Sequence, residues 1–189
     1  PFCFEEYILA ARGGRYTVTQ ASECESFYSI RTDVNKYYAA CAVCETAIAL
    51  TAEGDPDEEF FSLTVHALID MTTGDESLAL ISFLLNALKL SGYGITLTEA
   101  CPQCGAPLKN AEKLRFNMEK GTFSCFNCGN GAGVSGVTYS TLFAAADGQK
   151  SGGELSGKIR ALKLLREYMT YKTDAKCLSL NEYISLLHG

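Results

Sequence analysis

The stretch "LALISFLLNALKLSGYGITLTEACPQCG", residues 78–105, joins two kinds of chain and decides how the rest is read. In its first part Leu78, Ile81, Leu84, Leu85 and Leu88 recur at the three- and four-residue steps of one helix face. The run is broken by Asn86 and Lys89, and it is shorter than the roughly 20 apolar residues a membrane span needs. "SGYG" then ends the helix, and Cys101, Cys104 and Gly105 form a Cys-x-x-Cys-Gly turn. A second turn, Cys125, Cys128 and Gly129, follows after a spacer of 20 residues.

Two such turns can each aim a pair of sulfurs at one point, which is what a tetrahedral zinc ion with four thiolates requires. The spacing favours structural zinc over two disulfides or a redox switch, with Cys101, Cys104, Cys125 and Cys128 as ligands. Four protein ligands would leave no open position for water, and neither His66 nor His188 is near in sequence, so metal catalysis is not expected. Gly105 and Gly129 are expected to supply left-handed backbone. Within the spacer, "LRFNMEKGTFSC" predicts a short hairpin turning at Lys120-Gly121.

Toward the N-terminus, "FCFEEYILAAR", Gly13-Gly14 and "RYTVTQ" predict a β-hairpin. From about Glu23 the period changes, and Val34, Tyr37, Tyr38, Cys41, Cys44 and Ile48 predict the buried face of an amphipathic helix. An acidic turn, "EGDPDEE", precedes a helix that Asp55 could cap, running to about Met71. Beyond the cysteines, "TYSTLFAAA", then Leu155, Ile159, Leu162, Leu165 and Met169, then "NEYISLL" predict three helices. "GAGVSG", residues 131–136, matches a dinucleotide-binding glycine pattern only formally, since no βαβ unit surrounds it, and is expected to be a flexible exit loop. The prediction is a mainly α chain: a hairpin over 1–22, a helical bundle over 23–99 and 134–189, and a four-cysteine insert over 100–133.

The 189 residues carry a net charge of −6 and nine cysteines. An odd cysteine count with four in metal spacing favours a reducing, intracellular compartment, and no signal peptide or membrane span is read. Cys41 and Cys44 could in principle join Cys3 and Cys24 in a second site, but a buried helix face is the expected reading. His66 is expected to be structural, and no triad, paired carboxylate or phosphate loop emerges. An acidic chain can touch a polyanion only through a local patch. Such a patch lies in residues 157–176, with Lys158, Arg160, Lys163, Arg166, Lys172 and Lys176 against Glu167 and Asp174. Arg12 and Arg15 flank the hairpin turn, and Lys109, Lys113, Arg115 and Lys120 decorate the insert.

The order "YTVTQASECESFYSIRTDVNKYYAA", "LLNALKLSGYGITLTEACPQCGAPL", "FSCFNCG" and "KIRALKLLREYMTYKTDAKCLSL" resembles the RecO family of DNA repair proteins across essentially the whole chain. The resemblance implies an OB-fold followed by a helical domain with a zinc insert, the four cysteines being the Zn2+ ligands. It also implies a non-enzymatic recombination mediator of the bacterial cytoplasm, acting at the nucleoid. Its partners would be single-stranded DNA, RecR, single-stranded DNA-binding protein and, indirectly, RecA, with no membrane. An OB-fold has five strands, so residues 1–22 would be the last strands of an incomplete one, and a chain opening at Pro1 without Met suggests that roughly 50 residues lie upstream. The residues expected to contact DNA are Lys158, Arg160, Lys163 and Arg166, with Arg12 and Arg15 as secondary contacts. The competing readings are a zinc-stabilised protein-interaction module without DNA binding and a metalloenzyme.

Overall fold

The computed structural model describes residues 2–54 and 56–188. Ten residues of β1 (Cys3–Arg12) and twelve of β2 (Arg15–Ser26) pair antiparallel. Between them Gly13 and Gly14 take φ of +58° and +76°, the left-handed pair that a two-residue turn needs to follow the strands' own twist. The ladder continues to Ser26, past the change of period expected near Glu23, because register shifts at Phe4/Glu5 and Ile8/Leu9 absorb an extra residue in β2 each time. Most of the hairpin is exposed on both faces, Tyr7, Ile8, Leu9, Tyr16 and Val18 included. Only its base is anchored: Phe4 meets Phe61 at 5.8 Å, Phe2 meets Tyr37 at 5.4 Å, and Arg31 donates to the Ser26 hydroxyl at 2.8 Å.

Seven helices follow or interleave among the described residues: α1 (Tyr28–Arg31), α2 (Val34–Leu50), α3 (Glu58–Thr73), α4 (Glu76–Leu90), α5 (Gly136–Ala146), α6 (Leu155–Thr173) and α7 (Leu178–Leu186). None is long and apolar enough to cross a membrane. Each major start has a capping side chain where the sequence offers one: Asp33 for α2, Asp57 for α3, Asp75 for α4 and Ser135 for α5. Asp55, the expected cap of α3, lies outside the described residues, and it is the Asp57 carboxylate that accepts from Phe60 N–H at 2.8 Å.

Helix α4 is the axis of the bundle. Leu78, Leu80, Ile81, Phe83, Leu84, Leu85, Ala87 and Leu88 are all buried, so it is apolar nearly all round, as a helix must be when neighbours cover every side. Helix α2 packs on α3, α4 and α7, with Ala39, Ala40, Ala42, Val43 and Thr46 inward. The predicted stripe therefore marks the wrong face: Ile48 is 78% exposed, Val34 and Tyr37 are exposed, and Tyr38, Cys41 and Cys44 are half-buried. Small alanines bring three helix backbones close to α2, and large residues at those positions would hold them apart. The predicted faces of α4 and α6 are the observed ones, apart from Leu155 at the exposed start of α6.

Helix α7 is fastened by a distant residue. No side chain of its own caps it; the Glu45 carboxylate on α2 accepts from Leu178 N–H at 2.9 Å and Ser179 N–H at 2.8 Å. Burial alone would raise the Glu45 carboxyl, but the Ser179 and Leu178 amides outweigh it and hold the group below its ordinary value. Cys177 is buried beside Thr46, and burial pushes its thiol up to about 12, so it behaves as an inert core residue. Deeper in the same seam the Tyr183 hydroxyl meets Ser77 Oγ at 2.6 Å and donates to Glu76 at 3.2 Å.

Between α4 and α5 the chain forms a three-stranded antiparallel sheet in the order β4-β3-β5, from β3 (Lys113–Asn117), β4 (Thr122–Cys125) and β5 (Ala132–Ser135). The predicted hairpin is β3 and β4. "GAGVSG", expected to be a flexible loop, is instead β5 running directly into α5: Val134 is buried opposite Leu114, and Gly131 passes so close to Phe116 that a Cβ would lie 2.1 Å from its carbonyl oxygen. The sheet does not stand apart from the bundle. Phe116 packs on Phe123 at 4.6 Å and on Tyr168 of α6 at 5.4 Å, while Phe123 meets Tyr139 of α5 at 4.8 Å.

Candidate metal centre and basic surface

Four thiols converge at the end of this sheet. Cys101 and Cys104 come from the turn after α4, Cys125 from the end of β4, and Cys128 from the turn that follows. Each turn is closed by a backbone bond, Gly105 N–H to Cys101 O at 2.9 Å and Gly129 N–H to Cys125 O at 3.1 Å. Gly105 has φ +73°, as expected. Gly129 does not need left-handed backbone; it needs space, since a Cβ there would lie 2.0 Å from Ser124 Oγ and 2.6 Å from Arg115 Cβ.

The four sulfurs all lie within 4.8 Å of one another, and Cys104 and Cys125 are 3.6 Å apart. That is too long for a disulfide bond and close to the roughly 3.8 Å edge of a tetrahedron with sulfurs about 2.3 Å from zinc. Cys101 is buried and accepts from Cys125 N–H at 3.5 Å; amides of Cys125 and Gln103 pull its thiol down to about 6. Cys128 is pushed up to about 12 by its hydrogen bonds to the Cys125 and Cys104 sulfurs. Four thiolates cannot share so small a volume without a cation, and a divalent metal would supply it. The donor set and its spacing fit a tetrahedral ion held by protein alone.

The other cysteines form no such site. Among the described residues Cys41 and Cys44 are not grouped with Cys3 or Cys24 around a common point. Cys3 lies instead near Glu5 and Glu23 at the hairpin base. His66 is exposed and satisfied within its own helix, Nδ1 lying 2.8 Å from Ser62 O.

The expected basic residues divide into three groups. Lys158 is 9% exposed, its Nζ 2.5 Å from Asp75 Oδ2, while the other Asp75 oxygen caps α4. It is a structural ion pair between α4 and α6 and does not present its charge to a ligand, which corrects the expectation for this residue. Arg166 is half-buried and bonded to Asn181 at 3.1 Å, with Glu167 at 3.6 Å. Arg160 is exposed and reaches Ser135 Oγ at 3.3 Å, and Lys163 is half-exposed one turn on. Arg12 and Arg15 are exposed, facing each other across the hairpin turn. What the sequence reading did not single out is Phe126, between the two cysteines of the second turn, whose ring lies 4.1 Å from the Arg115 guanidinium carbon. An exposed aromatic inside a metal turn was the available signal.

The family model "Recombination protein O C terminal" matches residues 31–180, most of the chain and all of the metal centre. The chain belongs to the RecO family. Its similar relatives include the DNA repair protein RecO of Desulforamulus reducens, 33% identical over 128 residues, covering 68% of this chain and 49% of the relative. The DNA repair protein RecO of Rubrobacter xylanophilus is 34% identical over 68% of this chain and 51% of its own. That of Frankia casuarinae is 38% identical over 68% of this chain and 53% of its own. This RecO-family chain thus spans about half the length of the curated relatives it matches.

Proposed function

We propose that the chain acts in DNA repair and recombination as a mediator that binds single-stranded DNA and partner proteins, promoting strand annealing and recombinase loading without bond chemistry of its own. Family membership over residues 31–180 carries this reading, together with relatives named for DNA repair. The exposed hairpin is read as the last two strands of an OB-fold, whose loops bind oligonucleotides. On that reading Arg12 and Arg15 at its tip contact phosphates, and Arg160, Lys163 and Arg166 extend the cationic surface. The four-cysteine centre holds a structural Zn2+ that fixes the insert.

Partner proteins of the RecR and single-stranded DNA-binding protein type, and RecA through them, would dock on the bundle. Support comes from a cavity of about 220 Å3 between the end of α2 and the start of α3, lined by Ala47, Ile48, Phe60 and Phe61, a setting suited to an apolar peptide anchor. The test is binding of a labelled oligonucleotide to the chain across a salt series. Affinity should fall steeply as salt rises, and Arg12→Gln with Arg15→Gln should flatten that slope by about 1.4, two phosphate contacts at about 0.7 each. No binding at low salt would leave the interaction module as the better account of this chain.

A further inference from the structure

We propose that the outward face of the insert sheet, with Phe126 as a stacking platform, is itself a contact surface for single-stranded nucleic acid, a site that rests on the DNA reading above and carries its cationic surface from Arg160 onto the insert. Alternation on β3 sends Leu114 and Phe116 into the core and Lys113, Arg115 and Asn117 outward. Beside them on β5, Gly133 stands opposite Arg115 and Ser135 opposite Lys113. A Cβ at Gly133 would meet nothing within 4 Å, so the surface beside Arg115 is open on the β5 side. Ser135 then brings in Arg160 from α6. Two cations of β3 and one of α6 thus line one path, and none of them is held in an ion pair with a carboxylate among the described residues.

Arg115 is held in place at one end of this path. Gly131 O accepts from its Nη1 at 3.2 Å, Gly129 presses on its stem, and its Nε is buried without a hydrogen-bond partner. The guanidinium covers one face of Phe126, and the ring remains 45% exposed. A side chain present only to fill the insert would be buried; this ring is fixed in orientation and left open, the arrangement on which a base can stack. At the other end the path meets a cavity of about 670 Å3 whose lining is mixed in charge, with Lys109, Glu112 and Glu154 beside Ser135, Ser140 and Gln149. A cationic path with an aromatic platform complements a polyanion whose bases carry π-faces, and single strands expose those faces where duplexes do not.

The experiment compares the chain with Phe126→Leu and with the double variant Lys113→Gln/Arg160→Gln, using a thymidine oligonucleotide carrying one 2-aminopurine, over a salt series. Phe126→Leu keeps an apolar side chain at this half-open position and should keep its zinc content and melting temperature. Its affinity should fall about five- to tenfold, the low end of base-aromatic stacking, with less 2-aminopurine quenching and an unchanged salt slope. The double variant should flatten the slope by about 1.4, two phosphates at about 0.7 each. If the parent chain binds and both variants match it, the insert face is not a contact surface while the DNA reading stands. If the parent chain does not bind at low salt, the DNA reading falls and takes this site with it.

Discussion

A single ion pair shows how a charge can be misassigned from sequence. Lys158 belongs to a basic helix, yet it follows Gly157, which lies so close to α5 that a Cβ would sit 2.5 Å from Thr141 Oγ1. That close approach buries the lysine stem and delivers the ammonium to Asp75, a carboxylate already committed to capping α4. Lys158→Met should therefore cost stability and leave the oligonucleotide salt slope as it was. A loss of about 3 kcal/mol in urea unfolding is expected, because the carboxylate is left partly buried without its partner. A flattened salt slope with unchanged stability would restore Lys158 to the binding surface. Spacing placed Lys158 on the right helix, but only the packing of α6 against α5 determines which way its charge faces.

Among the elements, α7 depends on a carboxylate it does not contain. Glu45→Gln keeps the shape but removes the charge that receives two amides, so thermal unfolding at pH 7 should come a few degrees lower, for a cap worth about 1 kcal/mol. Because the folded carboxyl is held below the ordinary value of 4.5, its contribution is present above that value and lost as the pH falls through the lower folded one. Parent and variant should converge as acid protonates the folded carboxyl; a gap of constant size across the whole acid range would assign the effect to shape and not to charge. Helix identities were legible in the sequence, since periodicity and Asp or Ser caps are local. The face of α2 was not, because an alanine side is a weak apolar signal until α3, α4 and α7 close on it. β5 was hidden for a similar reason: glycines that suit a loop also suit a strand crossing close above Phe116.

For the molecule as a whole, the convergence of the four cysteines was legible from spacing alone, but the packing of the insert into the bundle was not. Leu108, Leu114, Phe116, Phe123 and Val134 of the insert are buried in one cluster with the bundle, so the insert shares the bundle's core. Metal removal by a chelator should accordingly lower the melting temperature of the entire chain while far-ultraviolet helix signal persists at room temperature. Cys104→Ser should behave likewise and hold less zinc. Two separate melting transitions, with the bundle's unchanged, would show that the shared core does not couple them. The carboxylate clasp on α7 has a further consequence for synthesis on the ribosome. Glu45 waits for amides 133 and 134 residues downstream, and Ser77 waits for a hydroxyl 106 residues away. The side of α2 that meets α7 therefore stays uncovered until nearly all of the described chain has emerged, and nascent chains stalled before α7 are the ones a chaperone should hold longest.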